Sequence, residues 1–269
     1  MSVLIAIPAR AASTRYPDKP LAMLRGATGE ARSLVRRSWE AGLAAAEGLG
    51  GARVVVATDD ARIRDHAAGF GAEVVMTSPA HRNGTERVAE AAARLGGGFE
   101  MVVNLQGDAP LTPPWFVEGL VAGLRAAPAM EVATPVLRME GAALAGFRED
   151  RRAGRVGGTT AVFGAGGRAL YFSKEVIPHT GRAYGPGEPT PVFHHVGAYA
   201  YRPAALAAYG AWEAGPLEAL EGLEQLRFLE NGAGVLCVEV EARGRSFWEL
   251  NNPEDAPRLE AMMAAMGMR

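Results

Sequence analysis

The chain has 269 residues, of which 48% are hydrophobic and 22% charged, a balance typical of globular proteins. Its 28 basic and 30 acidic side chains give a net charge of −2, so no basic excess is available to coat a nucleic acid. With a single cysteine, Cys237, the chain has neither a disulfide framework nor a zinc site built from cysteines.

Membrane segments are not expected. No apolar run approaches the length of about 18 residues that a spanning helix needs. The apolar stretch near the N-terminus, Val3–Ile7, follows no basic segment and is too short for the core of a signal peptide. We therefore expect a cytoplasmic protein with no membrane partner.

Short apolar runs alternate with helical patterns through the first half of the chain. The predicted strands cover residues 3–7, 53–57, 73–76, 101–105 and 132–136. Apolar residues at helical spacing lie between them, at 63–70, 88–95 and 116–124. Asp59 or Asp60 is expected to cap the first of these helices, and Pro113-Pro114 to open the last. This alternation predicts a doubly wound α/β sheet.

The second half has a less regular pattern. Residues 138–168 are rich in Gly and Arg and are predicted to be irregular, and strands are expected at 169–172, 196–201 and 235–240. Leucines at 217, 220, 223 and 226 predict one helix between the last two strands. A final helix should begin at Asn252 as cap and Pro253 as first residue. We predict one α/β domain with an inserted or appended antiparallel part.

A basic loop follows the first predicted strand, where open α/β sheets bind ligands. Arg10, Arg15 and Lys19 lie within ten residues of each other, with small residues between them. Guanidinium and ammonium groups on such a loop suit a polyphosphate, although a solvated basic loop fits the spacing equally well. No G-x-G-x-x-G follows the strand, which argues against a Rossmann dehydrogenase.

An acidic residue follows another buried strand, in the run Asn104 to Pro110 (NLQGDAP). Asp108 is expected in the same cleft as the basic loop, where a carboxylate can hold Mg²⁺ against phosphate oxygens. The alternative is that Asp108 only caps the turn into the helix of Trp115.

Seven motifs, in order, resemble the 3-deoxy-manno-octulosonate (Kdo) cytidylyltransferase family. They are PAR-x-x-ST-R-x-P-x-KPL at 8–21, VATDD at 56–60, GTER-x-AE at 84–90, NLQGDAP at 104–110, ALYFSK-x-x-IP at 169–178, H-x-G-x-Y-x-Y at 195–201 and LEQLRFLE at 223–230. The resemblance implies a three-layer nucleotide-diphosphosugar transferase (Rossmann-like) α/β fold, with a mixed, mostly parallel sheet and an antiparallel dimerisation portion. It also implies a homodimer, Mg²⁺ dependence, and the reaction of CTP with Kdo to give CMP-Kdo and pyrophosphate.

The resemblance also implies roles for individual residues. Arg10, Lys19 and Asp108 would be catalytic. The residues that would bind CTP are Pro8, Ala9, Arg10, Arg15, Lys19 and Gly84. Those that would contact the acidic sugar are Gln106, Lys174, His195, Tyr199, Glu224 and Gln225. Asp108 and Asn251 would bind the metal.

From spacing alone, several of these residues can also be interpreted as structural rather than functional. Alternation along a strand places His195 with Gly197 and Tyr199 on one face, where the histidine can be a core residue and Tyr199 and Tyr201 packing aromatics. By role, residues 1–137 and 205–269 are expected to form the nucleotide-binding core, and 138–204 the sugar-binding and dimerisation portion. The expected dimer surface is the strand 196–201 with the helix 217–229.

The chain departs from the family pattern near the metal and the sugar. Asn251 stands where the family has an aspartate before x-PED, and Lys174 where it has an arginine. Further departures are Ala80, Asn83, Ala109 and Thr160. Two alternatives therefore stay open beside the leading hypothesis: a cytidylyltransferase for another acidic sugar, such as one in capsule synthesis, or a binding homologue with little catalysis.

Overall fold

The computed structural model describes residues 2–12, 16–155, 158–245 and 248–269. The strands are β1 (Val3–Ala9), β2 (Met23–Arg25), β3 (Ala31–Ser33), β4 (Arg53–Thr58), β5 (Glu73–Met76), β6 (Met101–Leu105), β7 (Val132–Glu140), β8 (Thr159–Phe163), β9 (Ala169–Ser173), β10 (Pro189–His195), β11 (Ala198–Tyr201) and β12 (Val235–Glu239). The α-helices are α1 (Leu34–Gly48), α2 (Ala61–Gly69), α3 (Gly84–Arg94), α4 (Pro114–Ala126), α5 (Gly141–Arg152), α6 (Pro203–Ala211), α7 (Pro216–Glu221), α8 (Leu226–Glu230) and α9 (Asp255–Ala265). Within these residues, every helix is too short or too polar to span a lipid bilayer.

The chain packs as two compact units. The first comprises the described residues of 1–118 and 243–269, and the second those of 119–242. This division by packing is distinct from the predicted division by role, which remains a prediction.

The first unit contains a parallel sheet in the strand order β5-β4-β1-β6. The register places Ala6 of β1 beside Asn104 of β6, so the carboxyl ends of these two strands lie next to each other. Val35 of α1 and Ile63 of α2 are fully buried against β1 and β4. The strands predicted in this half are confirmed, as are Asp60 as the cap of α2 and the start of α4 at Pro114.

In the second unit, strand pairing is centred on β7. This strand pairs antiparallel with β10 and β11 and parallel with β12. Strand β8 pairs antiparallel with both β10 and β9. The predicted antiparallel portion is therefore confirmed, while its part in dimerisation stays a prediction.

The prediction that residues 138–168 are irregular was wrong. The segment contains the end of β7, helix α5 and strand β8. Helix α5 buries only Leu144 among its large side chains, packed with Met139 and Val192. Because a single buried leucine produces almost no helical periodicity, the pattern was too weak to reveal this helix.

Three boundaries in the second half also differ from the prediction. The leucine-rich helix is two short helices, α7 and α8, because Gly222 adopts a left-handed conformation (φ 62°) that ends α7. The predicted strand 196–201 begins only at Ala198, since His195 belongs to β10. The last helix begins at Asp255, whose carboxylate accepts hydrogen bonds from the backbone N–H groups of Asn251 and Asn252.

Candidate functional site

The loop after β1 and the turn after β6 meet through an ion pair. Lys19 opens a 3-10 turn, and its Nζ lies 2.7 Å from Oδ2 of Asp108. The two side chains keep 14% and 27% of their surface exposed, so solvent or a ligand can reach both. Since β1 and β6 are parallel neighbours, this pair lies where open α/β sheets bind their ligands.

The backbone around Asp108 is held from several sides. The N–H of Leu250 donates to the Asp108 carbonyl at 3.0 Å, and Ser38 Oγ donates to the Gly107 carbonyl at 2.9 Å. A Cβ at position 107 would lie 2.4 Å from the Pro8 carbonyl oxygen, so only glycine permits this approach. These contacts fix the carboxylate of Asp108 relative to β1.

The start of α3 lies over the ends of β1 and β6. A Cβ at Gly84 would lie 3.3–3.4 Å from Pro8 Cγ, Asn104 Nδ2 and Gln106 Oε1. The helix is capped by Asn83, whose Oδ1 accepts from the N–H of Glu86 at 2.9 Å. The structure thus brings Pro8, Gly84 and Gln106 together, and the helix N-terminus beside them suits a negatively charged or hydrogen-bonding ligand.

Two of the predicted phosphate-binding cations lie within the described residues. Besides Lys19, Arg10 is exposed, and its Nη1 donates to the carbonyl of Arg82 at 3.3 Å. Ala9, the last residue of β1, is buried. Arg15 lies outside the described residues.

Asn251 lies next to the residue that contacts Asp108. Its Nδ2 is 3.4 Å from Oε2 of Glu249, and its backbone N–H donates to Asp255 Oδ2 at 3.0 Å. The described residues contain no group of three or more His, Cys, Asp or Glu side chains that would form a metal cage. Mg²⁺ usually needs only one or two protein carboxylates together with substrate phosphates and water. Asp108 supplies one such carboxylate, and the backbone hydrogen bond from Leu250 ties the segment that carries Glu249 and Asn251 to it.

His195 lies in the second unit, where both ring nitrogens contact hydroxyl groups. Nε2 is 2.9 Å from Thr134 Oγ1, and Nδ1 is 3.0 Å from Thr159 Oγ1. Thr134 Oγ1 also lies 2.9 Å from the Ala198 carbonyl, to which it donates, so it accepts from Nε2–H and leaves Nδ1 as the acceptor. Burial, with a smaller effect of the neighbouring His194, lowers the pKa of His195 to about 3. The ring is therefore neutral near pH 7.

Tyr199 and Gln225 lie close to this histidine. The rings of His195 and Tyr199 are 5.7 Å apart although they belong to different strands, not to one strand as the spacing predicted. Tyr199 donates its hydroxyl to Gln225 Oε1 at 3.1 Å. Nε2 of Gln225 is buried and has no partner among the described residues. A buried amide donor of this kind is costly unless a ligand or water satisfies it.

The remaining two sugar-side candidates lie in connecting segments, Lys174 after β9 and Glu224 between α7 and α8. The backbone N–H of Lys174 donates to Glu221 Oε2 at 2.8 Å, and its Nζ lies 3.0 Å from where a Cβ of Gly222 would be. Glu224 is half-buried, and its carbonyl accepts from the hydroxyl of Tyr209 at 3.3 Å.

Sequence reasoning missed several polar residues around these sites. Asn104 is fully buried, and neither polar atom of its side chain has a partner among the described residues. An asparagine inside the apolar run MVVNL was the available signal. Thr134 and Thr159, which fix the tautomer of His195, are distant from it in sequence and left no local pattern.

Comparisons with known proteins decide the family. A family described as cytidylyltransferase matches residues 4–240. A 3-deoxy-manno-octulosonate cytidylyltransferase of Maricaulis maris is 46% identical over 267 residues, covering 99% of each chain. The chain belongs to this family. Another member, from Chlamydia abortus, is 40% identical over 254 residues, covering 94% of this chain and 91% of its own.

A solved structure extends this result for the 3-deoxy-manno-octulosonate cytidylyltransferase family to the fold. It is a CMP:2-keto-3-deoxy-manno-octonic acid synthetase complexed with CTP, with a TM-score of 0.81 and 31% identity. The match covers 99% of this chain and 100% of that one. The family and fold class predicted from the seven motifs are confirmed, whereas the roles of single residues stay predictions.

Proposed function

We propose that the protein transfers the cytidylyl group of CTP to Kdo, giving CMP-Kdo and pyrophosphate. The observation that carries the proposal is the Lys19–Asp108 pair at 2.7 Å, at the carboxyl ends of two parallel strands. A cation and a carboxylate at this place supply both charges that a nucleoside triphosphate with its metal requires. The whole-length relatives named above, one of them bound to CTP, support the same activity.

The first unit would bind CTP. Lys19, Arg10 and Arg15 would hold the triphosphate, and the close approach of Gly84 to Pro8 would leave the backbone of Pro8-Ala9 facing the cytosine. The exposure of Lys19 and Arg10 suits them to an incoming polyanion. Backbone groups at such a position can read the base edge without charged side chains.

The reaction would be an in-line displacement at the α-phosphorus. The anomeric hydroxyl of the sugar forms the new P–O bond while the bond to the β-phosphate oxygen breaks, and the hydroxyl proton is lost to water. The electron pair of the broken bond leaves with pyrophosphate, whose growing charge Lys19 and Arg10 stabilise. The residues act by positioning and charge stabilisation, which is the usual requirement of phosphoryl-group transfer.

Mg²⁺ dependence is part of the proposal. Asp108 would be the charged ligand and Asn251 would offer its amide oxygen, with the carboxylate of Glu249 beside it. When bound, the ion neutralises phosphate oxygens and polarises the α-phosphorus. Lacking the family's second aspartate, the chain should require more Mg²⁺ than relatives that have it.

The variant Asn251→Asp tests this metal assignment. The new carboxylate would lie near Glu249 Oε2, 3.4 Å from the present amide nitrogen, and the two acids would repel each other without a cation. We expect its melting temperature to rise with added Mg²⁺ more than that of the wild type, and its Mg²⁺ requirement for turnover to fall. Equal responses of both proteins to Mg²⁺ would contradict the assignment.

The second unit would bind the sugar through hydroxyl and amide groups rather than a charged histidine. The proposed contacts within this unit are Lys174, His195, Tyr199, Glu224 and Gln225. The sugar contact predicted for Gln106, which belongs to the first unit, stays a prediction. The buried Nε2 of Gln225 would find its missing acceptor on the sugar. Lys174 is the cation in this set and would face the sugar carboxylate.

We also propose a homodimer that works in the cytoplasm and supplies activated Kdo for lipopolysaccharide synthesis. The expected surface needs one revision: strand residues 198–201 are buried, so they do not form an exposed surface. Leu220 of α7 is 83% exposed and Leu170 of β9 is 63% exposed, which makes them better candidates for the interface. Sedimentation at micromolar concentration giving a mass near 28.3 kDa would contradict the dimer.

The proposed activity is tested by pyrophosphate release from CTP with Mg²⁺ and a panel of 3-deoxy acidic sugars. We expect release with Kdo and none without a sugar. Release with a different acidic sugar, but not with Kdo, would favour the second substrate hypothesis. Tight CTP binding without release for any sugar would show a binding homologue and contradict the proposal.

A further inference from the structure

The second unit contains a basic cavity that none of the proposed substrate contacts line. Its volume is about 320 Å³, and it lies between the C-terminal half of α5 and the segment that follows β9. Helix α5 contributes Arg148, Arg151 and Arg152, and the other wall contributes Glu175 and His179. The cavity thus combines three guanidinium groups with one carboxylate.

Arg151 is held in place without a carboxylate partner. Its Nη1 donates to the Arg155 carbonyl at 3.2 Å, and its other nitrogens donate to the carbonyls of Lys174 and Gly158. No ion pair forms to it within the described part of the chain, so no carboxylate lies against its positive charge. The neighbouring His194 responds to this charge: burial first, and Arg151 second, lower its pKa to about 4.

Arg148 is the second uncompensated cation. Its Nη2 donates to Thr180 Oγ1 at 2.8 Å, a neutral partner, and the described residues provide no carboxylate for it. Arg152 is exposed and pairs with Glu149, while Glu175 is exposed and is the acid among the lining residues. Arg148 and Arg151 are three residues apart, so their side chains project from the same face of α5.

We propose that this cavity binds a phosphate-class oxyanion between Arg148 and Arg151. Two half-buried guanidinium groups facing one cavity repel each other unless an anion lies between them. Their planar donor forks match the oxygens of a phosphate, and about 300 Å³ is the lower size of small-molecule sites. Basic residues near a helix C-terminus also interact favourably with the helix dipole, but that needs neither the Thr180 contact nor a cavity.

Isothermal titration of the full chain with inorganic phosphate, pyrophosphate and acetate tests the proposal. All titrations use the Lys19→Ala background, because the proposed triphosphate site would otherwise bind the same anions. We expect Arg148→Gln to weaken phosphate binding about 10-fold or more, as the loss of a charge-assisted bond does. Arg155→Gln is the matched control: Arg155 is exposed, pairs with Asp150 and does not line the cavity, so binding should not change.

Further titrations distinguish the classes of anion that could bind, and a further variant controls for misfolding. Tighter binding of pyrophosphate than of phosphate would indicate a diphosphate ligand, and equal binding a phosphate monoester. Arg148→Lys keeps the charge without the donor fork, so it should fold normally and show intermediate affinity. Acetate binding as tight as phosphate, phosphate affinity unchanged in Arg148→Gln, or no binding at all would overturn the proposal.

Discussion

The two units hold their candidate polar groups in opposite ways. In the first, Lys19 and Asp108 are a charged pair with 14% and 27% of their side chains exposed. In the second, His195 is 6% exposed, is neutral, and has both ring nitrogens engaged by threonine hydroxyls. The first arrangement can exchange its internal partners for those of a charged ligand, whereas the second is a buried, uncharged group whose hydrogen bonds are already made within the chain.

This contrast matches the chemistry proposed for each substrate. A triphosphate brings several negative charges, which accessible cations and a metal carboxylate can balance. A sugar brings many hydroxyl groups, which fixed neutral donors and acceptors recognise by geometry. The account therefore expects variants of the charged residues in the first unit to act mainly on CTP and the metal, and variants in the second unit to act mainly on the sugar.

The largest effect should come from removing the charge of Asp108. We expect Asp108→Asn to lower kcat by about 100-fold or more, because a metal ligand at the reacting phosphate contributes several kcal/mol. Steady-state pyrophosphate release measures this. Asp65→Asn, at an exposed aspartate that pairs with Arg64 in the same unit, is the control and should keep full activity. Equal activity of both variants would contradict a catalytic role for Asp108.

The buried histidine should make stability depend on pH. The pKa of His195 falls to about 3 in the folded state, so below its unfolded value of about 6.5 only the unfolded chain takes up the proton. Stability is then lost as the pH falls from 8 to 5, by about 2 kcal/mol for this residue. Urea unfolding at both pH values should show this loss reduced by about that amount in His195→Gln.

Thr159→Val separates titration from packing in that experiment. It removes one hydrogen bond to the ring but keeps the histidine, so it should lower stability at both pH values and retain the wild-type pH dependence. If His195→Gln retained the wild-type pH dependence too, the ring would not be the buried neutral group described above.

A smaller effect is expected from Tyr199, which lies beside His195 and donates to Gln225. Tyr199→Phe removes the hydroxyl that donates to Gln225 Oε1, at a cost of about 1 kcal/mol. We expect the KM for the sugar to rise several-fold while the affinity for CTP stays the same. A change in CTP affinity alone, measured by calorimetry, would contradict the assignment of Tyr199 to the sugar site.

The sequence predicted the first unit better than the second. Each strand of its parallel sheet is a short, mostly apolar run, and the motif residues follow the strand ends, so position along the chain revealed position in the site. In the second unit, β10 contains two prolines and two histidines, and α5 shows a single buried leucine. Strand β10 is ordered by pairing with β7 and β8, and α5 by packing Leu144 against Met139 and Val192, and no local pattern records these contacts.

The residues of the candidate site were likewise easier to predict from the sequence in the first unit than in the second. Lys19 and Asp108, 89 residues apart, were expected in one cleft because parallel strand ends meet there. The neutral state of His195 could not be foreseen, because it follows from burial by residues distant in the chain, and its tautomer is set by Thr134 and Thr159 from two other strands. Contacts that come from distant neutral residues leave no spacing or charge signal in the chain.

The two lysines of the chain test the central claim most directly, because one lies in each unit. Lys19→Ala and Lys174→Ala are the same chemical change, and steady-state kinetics with CTP and Kdo varied separately would compare them. We predict that Lys19→Ala weakens CTP binding about 10- to 150-fold with little effect on the KM for Kdo, and that Lys174→Ala does the reverse. If both variants changed the same substrate constant, or neither changed any, the assignment of CTP to the first unit and the sugar to the second would be contradicted.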